Sequence, residues 1–166
     1  MSEPAPENPR GLFDRSTKGL TVGPVSVNVE RGRIRFFSEV LGNSDPIHFD
    51  VEAAREAGHP DIVAPPSFFM VIEALASDEI RRRKLVSAVA GVGADFRYLL
   101  HGDERYEYVS PIYAGEDVQF TTRVVDFYDK KGGAMEFVTL QAEIAHETRG
   151  VLVRCNRTLL HRLPEV

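Results

Sequence analysis

A helix that is apolar on every side is the feature that most constrains the fold of this chain. The pair Pro65–Pro66 lacks amide donors and fixes φ, which suits the first turn of a helix, so a helix is expected to begin near Ser67. Its first half is the run FFMVI at residues 68–72. Such a surface must be buried all round, and in a domain of 166 residues this requires a sheet wrapped about the helix.

Strand-like segments in the second half of the chain can supply this sheet. They are rich in Val, Phe, Tyr and Thr and lie near residues 104–112, 117–128, 134–146 and 151–162, with a further strand possible near 22–29. Glycine-containing turns separate them at hairpin-like spacing, so antiparallel pairing is expected. The predicted order is a strand, then helices, then a meander of about four strands.

Two shorter helices are expected before the long one. The first spans residues 30–41 and ends at Gly42, and the second spans 51–57, with Asp50 as its N-cap. Residues 1–20 contain three prolines and no periodicity, which indicates a mobile tail or an arm over the surface. We therefore expect one domain over residues 21–166.

Charge and cysteine content exclude several classes of function. The net charge of −5 argues against nonspecific binding to nucleic acid or to an anionic membrane. A single cysteine, Cys155, cannot form an internal disulfide, and the first residues lack the apolar core of a signal peptide. No apolar stretch is long enough to cross a bilayer. These features favour a cytoplasmic location and no membrane partner.

The densest group of ionisable residues is NSDPIHFD, residues 43–50. An Asp followed by Pro favours a type I turn, which would hold the Cα atoms of Asp45 and His48 within about 7 Å of each other. A carboxylate and an imidazole are a common pair for proton transfer near neutral pH. The alternative is structural: Asp45 caps the turn and His48 only packs. A metal site in this region is a weaker alternative, because the spacing matches no reliable ligand motif.

Six short segments resemble the MaoC-like dehydratase family of the hotdog fold, in particular its FAS1-like dehydratase N-terminal branch. They are RIRFF (33–37), GNSDPIH (42–48), AAREAG (53–58), IVAPPSF (62–68), LHGDERYEY (100–108) and YDKKGG (128–133). The resemblance spans roughly residues 20–162. It implies an α+β hotdog fold, in which an antiparallel sheet curls round one long central helix, and pairing of two hotdogs into a dimer.

The resemblance also implies a reaction: the reversible hydration of a 2-enoyl thioester, or the dehydration of a 3-hydroxyacyl thioester, carried by coenzyme A or acyl carrier protein. No redox cofactor or metal is implied. His48 matches the family's catalytic histidine, whereas Asn43 occupies the position of the family's aspartate and Asp45 the usual position of its asparagine. Pro66 replaces a glycine whose amide polarises the thioester carbonyl.

The resulting hypothesis assigns one role to each residue. His48 and Asp45 share the water and the α-proton, Asn43 helps to orient the water, and the Ser67 amide stabilises the thioester oxygen. Two alternatives stay open. One is a non-catalytic acyl-binding subunit that needs a second hotdog chain, and the other is a thioesterase that uses Glu73 on the central helix. The sequence does not define the acyl chain length or the carrier.

Overall fold

A computed structural model describes residues 7–164 of the chain. The helices are α1 (Arg31–Val40), α2 (Val51–Glu56), α3 (Phe69–Arg82) and α4 (Ala88–Gly91), and short 3-10 helices include Pro46–His48 and Pro66–Phe68. The strands are β1 (Thr21–Asn28), β2 (Leu99–Tyr108), β3 (Asp117–Lys130), β4 (Met135–His146) and β5 (Gly150–Arg162). The predicted order of strand, helices and further strands is confirmed.

The sheet is antiparallel throughout, but its strand order differs from a simple meander. Strands β3, β4 and β5 follow one another through hairpins, whereas β2 pairs with β5, giving the order β1-β3-β4-β5-β2. The predicted strand at 104–112 also begins too late, since β2 starts at Leu99. The polar residues at 101–105 made the first half of β2 unrecognisable as a strand from the sequence. An edge strand needs few apolar side chains at its exposed positions.

Helix α3 packs on the sheet and forms the centre of the core. Its buried residues Phe69, Ile72, Ala76 and Ile80 recur at helical spacing along one face. The prediction that the helix is buried all round is wrong for Met70, which is 47% exposed. This side of the helix lies next to the edge strand β2, where the hydroxyl of Tyr106 is 3.5 Å from the Met70 sulfur. One chain therefore leaves part of its central helix uncovered.

The segment before β1 lies across the sheet as an arm. The buried carboxylate of Glu136 accepts hydrogen bonds from the backbone amides of Leu12 and Phe13, at 2.6 and 3.1 Å. The Phe13 ring stacks on His161 with the ring centroids 3.9 Å apart. Through these contacts, residues 12 and 13 lie against the sheet as an arm would, while the mobility of the tail stays a prediction. Residues 1–6 lie outside the described part of the chain.

The buried His161 completes this attachment. Its Nε2 accepts from the backbone amide of Asp95 at 2.9 Å, so the ring proton is on Nδ1 and is donated to Glu136 at 2.7 Å. The arm also approaches the other end of the chain, where the Arg10 guanidinium donates to the carbonyl of Pro164 at 2.5 Å. Within residues 7–164, no helix is long and apolar enough to cross a membrane.

Candidate active site

The loop between α1 and α2 holds His48 at the end of a 3-10 helix. The Asp45 carboxylate caps this helix by accepting from the amide of Ile47 at 3.1 Å, and the Asp45 carbonyl accepts from the amide of His48 at 3.2 Å. The predicted turn is therefore present. It fixes the backbone at His48, which leaves the direction of the imidazole to be set by its own contacts.

One hydrogen bond defines the chemistry of the His48 ring. Its Nδ1 lies 2.7 Å from the carbonyl oxygen of Val63. A carbonyl can only accept, so Nδ1 carries the proton and Nε2 of the neutral ring has a free lone pair. No described residue forms a hydrogen bond with this second nitrogen. Nε2 is thus available to accept a hydrogen bond or a proton from a bound molecule.

His48 lines a cavity of 260 Å³ between the start of the central helix and the end of β2. The other lining residues are mainly apolar, with two hydroxyl groups among them: Val63, Ala64, Pro66, Tyr108, Val109, Ser110 and Pro111. The Tyr108 hydroxyl donates to the carbonyl of Pro66 at 3.2 Å. Partial burial of this ring is the main reason that the pKa of Tyr108 is raised. The site therefore combines an imidazole base with an apolar wall, which suits an acyl group.

The other predicted site residues lie outside this cavity wall. Asp45 is exposed and its carboxylate caps the turn, while Asn43 is half-buried at the end of the turn after α1. Ser67 is exposed in the first turn of the helical segment. Pro66 does line the cavity, and it brings no amide hydrogen. Of the four predicted site residues, which are His48, Asp45, Asn43 and Ser67, only His48 lies on the wall.

The cavity wall behind His48 is a small two-stranded arrangement. Val63 pairs with Tyr113 in an isolated antiparallel bridge, and the amide of Ala64 donates to the carbonyl of Ile112 at 2.9 Å. The amide of Val63 in turn donates to the carbonyl of Ile47 at 3.0 Å. The residue that orients His48 is therefore held from both sides, and this positions Nε2 before a substrate binds.

Comparison with known proteins agrees with this geometry. The model of the FAS1-like dehydratase domain region matches residues 16–155. The chain belongs to the FAS1-like dehydratase family. A UPF0336 protein of Streptomyces griseus is 31% identical over 154 residues, covering 92% of this chain and 97% of the relative.

Two solved structures show the same fold as this member of the family. The first is the C-terminally truncated HadBC complex of Mycobacterium tuberculosis, a 3R-hydroxyacyl-ACP dehydratase, with TM-score 0.68 and 19% identity over 87% of this chain and 96% of that one. The second is the MaoC-like dehydratase of Rhodospirillum rubrum, with TM-score 0.62 and 19% identity over 94% and 100%. The predicted relation to MaoC-like hotdog proteins is confirmed.

Glu73, the residue of the thioesterase alternative, is engaged in an ion pair with a strand of the sheet. Both of its carboxylate oxygens accept from the Arg157 guanidinium, at 2.8 and 2.7 Å, and Arg157 also contacts Glu104. These side chains are 15–19% exposed. Both oxygens are thus engaged in charge-assisted hydrogen bonds, so neither is directed at a thioester. Glu73 therefore acts as an anchor of the central helix.

Sequence reasoning missed the residues that complete the cavity. Ser110 and Tyr108 reach His48 only through the fold, since they follow it by about sixty positions in the sequence. Tyr108 ends the segment LHGDERYEY, but neither that segment nor any periodicity places it or Ser110 beside the loop that carries His48. Within residues 7–164, no three His, Cys, Asp or Glu side chains lie together as potential metal ligands.

Proposed function

We propose that this protein catalyses the reversible hydration of 2-enoyl thioesters, which is equally the dehydration of 3-hydroxyacyl thioesters. The observation that carries the proposal is the tautomer of His48, because its protonated Nδ1 is held by Val63 and its free Nε2 belongs to a ring that lines an apolar cavity. The acyl carrier is coenzyme A or acyl carrier protein. The HadBC structure, which shares the fold, is of a dehydratase that acts on such a thioester.

The proposed mechanism needs one acid–base residue. Nε2 of His48 takes a proton from water as the water oxygen bonds to Cβ of the enoyl group, and electrons move onto the thioester oxygen. The imidazolium then returns the proton to Cα, so one water is added in total. Pro66 starts the helical segment at the cavity, and the positive end of this segment favours the negative charge that develops on the oxygen. The Ser67 amide remains a proposed donor.

Asp45 enters this proposal in a changed role. Because its carboxylate caps the helix that ends at His48, we assign it to positioning, and Asn43 to holding water at the mouth of the turn. Neither side chain lines the cavity. The original hypothesis, in which Asp45 shares the proton with His48, predicts that removal of its charge alone stops the reaction. The two roles are separated by the Asp45→Asn variant.

The test is the loss of enoyl-thioester absorbance when purified protein is mixed with crotonyl-CoA. Wild type should consume the conjugated thioester and yield 3-hydroxybutyryl-CoA, and His48→Ala should lose at least about 100-fold in rate. His146→Ala is the matched control, since His146 is the last residue of β4 and is not on the cavity wall. Wild-type protein that binds crotonyl-CoA without converting it would contradict the catalytic proposal.

A second candidate function is that of an acyl-binding subunit. It is favoured by Pro66, which brings no amide donor to the cavity, and by the absence of a carboxylate on the described wall. This candidate predicts thioester binding without turnover, and turnover only after a second hotdog chain is added. The HadBC structure, which shares the fold of this chain, is likewise that of a complex.

Both candidates involve pairing with a second hotdog. The exposed edge of β2 and the half-exposed Met70 lie side by side, so a partner that extends the sheet at this edge would also cover the helix. We propose a homodimer through this surface, with a second hotdog chain as the alternative occupant.

A further inference from the structure

Hydration requires a donor for the thioester oxygen, and the cavity wall offers few. Pro66 and Pro111 have no amide hydrogen, and the other amides outside strand β2 are already bonded within the protein. The amide of His48 donates to the carbonyl of Asp45, that of Val63 to Ile47, and that of Ala64 to Ile112. The amides of Val109 and Ser110 both donate to the carbonyl of Leu152. Beside the proposed Ser67 amide, a further donor on this wall has to come from a side chain.

Among the side chains on the wall, Ser110 is the one with a proton to spare. The Tyr108 hydroxyl is donated to Pro66, and Nδ1 of His48 to Val63. Oγ of Ser110 instead accepts a hydrogen bond, from Nη1 of Arg149 at 2.8 Å. A guanidinium cannot accept, so the Ser110 proton is not used in this contact. It is free for a ligand in the cavity.

Arg149 is held rigidly enough to fix that hydroxyl. Its Nη2 donates to both carboxylate oxygens of Glu116, at 2.5 and 2.7 Å, and its Nη1 also donates to the carbonyl of Pro111 at 2.8 Å. The guanidinium carbon lies 5.1 Å from the centre of the Tyr113 ring. A cation that donates to a hydroxyl polarises it and makes it a stronger donor. Arg149 thus both places and strengthens the Ser110 donor.

We propose that Ser110 donates its hydroxyl hydrogen to the carbonyl oxygen of the bound acyl thioester, with Arg149 as its positioning residue. This assignment rests on the proposed function, since it concerns the same cavity. As water adds to Cβ, negative charge grows on the carbonyl oxygen, and the Ser110 hydroxyl stabilises it without transferring its proton. The Ser110 hydroxyl thereby supplies a hydrogen-bond donor in place of the backbone amide hydrogen that Pro66 lacks.

A nucleophilic role for Ser110 is the competing chemistry. With His48 as base, its oxygen would attack the thioester, release the thiol and leave an acyl-enzyme for water to hydrolyse. The guanidinium engages a lone pair of this oxygen, which disfavours attack by it. The two roles differ in product, because the donor role gives a 3-hydroxyacyl thioester and the nucleophile role gives a free acid.

Infrared difference spectroscopy of bound butyryl-CoA, labelled with ¹³C at the thioester carbonyl, tests the contact without requiring turnover. Binding to wild type should shift the carbonyl stretch to lower frequency, and Ser110→Ala should remove most of this shift. Ser110→Thr keeps a hydroxyl and should restore it. Ser26→Ala, in the exposed part of β1, is the control and should behave as wild type.

Kinetics with crotonyl-CoA supply the second readout. Ser110→Ala should lower kcat by about 100-fold with little change in KM, and Arg149→Met should lower kcat in the same direction. A carbonyl frequency that is the same in wild type and Ser110→Ala overturns this assignment, whether or not the enzyme is active. Release of free acid that depends on Ser110 overturns it as well. Failure to bind either thioester contradicts the proposed function itself, and the assignment with it.

Discussion

The tautomer of a single imidazole decides what this cavity can do. Because Val63 offers only a carbonyl, neutral His48 should carry its proton on Nδ1. Long-range ¹H–¹⁵N correlation spectra of the neutral ring should show this form, with His48→Gln used to assign the signal. A neutral ring protonated on Nε2 would contradict the proposed base.

Asp45 provides a residue-scale test of capping against catalysis. Asp45→Ala removes the cap of the helix that carries His48 and should lower the free energy of unfolding by about 1 kcal/mol. Asp45→Asn keeps an acceptor, so it should be close to wild type in both stability and rate. Urea unfolding and initial rates measure the two effects. A stable but inactive Asn variant would restore the direct role of Asp45 in proton transfer.

At the scale of elements, Arg157 of β5 links α3 to β2 through ion pairs with Glu73 and Glu104. Partial burial raises the pKa of Glu104, but hydrogen bonds from Tyr106 and Arg157 outweigh it and hold this pKa below its usual value. A lowered pKa in the folded state adds stability above the unfolded pKa, and this contribution is lost as the pH falls through the folded pKa. The contribution of Glu104 is therefore present at neutral pH.

Glu104→Gln tests this link. At pH 7 the variant should lose about 1.5–3 kcal/mol of unfolding free energy, because a hydrogen bond to a charged partner is lost. The difference from wild type should shrink in acid, where Glu104 becomes protonated. Urea titrations at pH 7 and near pH 3 compare the two, with Glu107→Gln, an exposed residue of the same strand, as control. A difference that is constant with pH would contradict the ionic origin.

The arm before β1 offers a second test at this scale. Phe13→Ala removes a buried ring that stacks on His161 and should cost about 3–5 kcal/mol, whereas the neighbouring Leu12→Ala should cost far less, since Leu12 is 40% exposed. Thermal and urea unfolding provide the comparison. Equal, small effects would mean that the arm contributes nothing to the stability of the sheet.

The elements show how far sequence reasoning reaches. Helix ends were predictable because Gly42 and Gly58 adopt φ of 71° and 88°, the left-handed conformation that ends helices. The position of β2 was not, since its partner is β5, about fifty residues away, and strand pairing over such a distance leaves no local pattern. The same limit applies to the site. The loop of His48 was visible in the sequence, whereas Ser110 and Arg149 join it only through tertiary contacts.

At the scale of the whole molecule, the uncovered side of α3 predicts association. Analytical ultracentrifugation should find a species of about twice 18.5 kDa, the mass of one chain. Met70→Lys places a charge on the proposed contact surface and should weaken the dimer at least about tenfold. Phe36→Lys is the control, because Phe36 is 68% exposed but lies on α1. A monomeric wild type, or equal effects of both substitutions, would contradict this surface.

Changes at the tip of the β4–β5 hairpin, residues 147–149, are expected to affect turnover rather than the stability of the sheet. Hairpin tips are usually where a chain accepts extra residues. Arg149 lies at this tip, yet its side chain reaches Ser110 and Pro111 on the cavity wall. Insertional scanning should therefore find a tip that folds normally with added residues but no longer supports turnover. The length of this one turn therefore bears on the cavity although the turn itself is not part of the cavity wall.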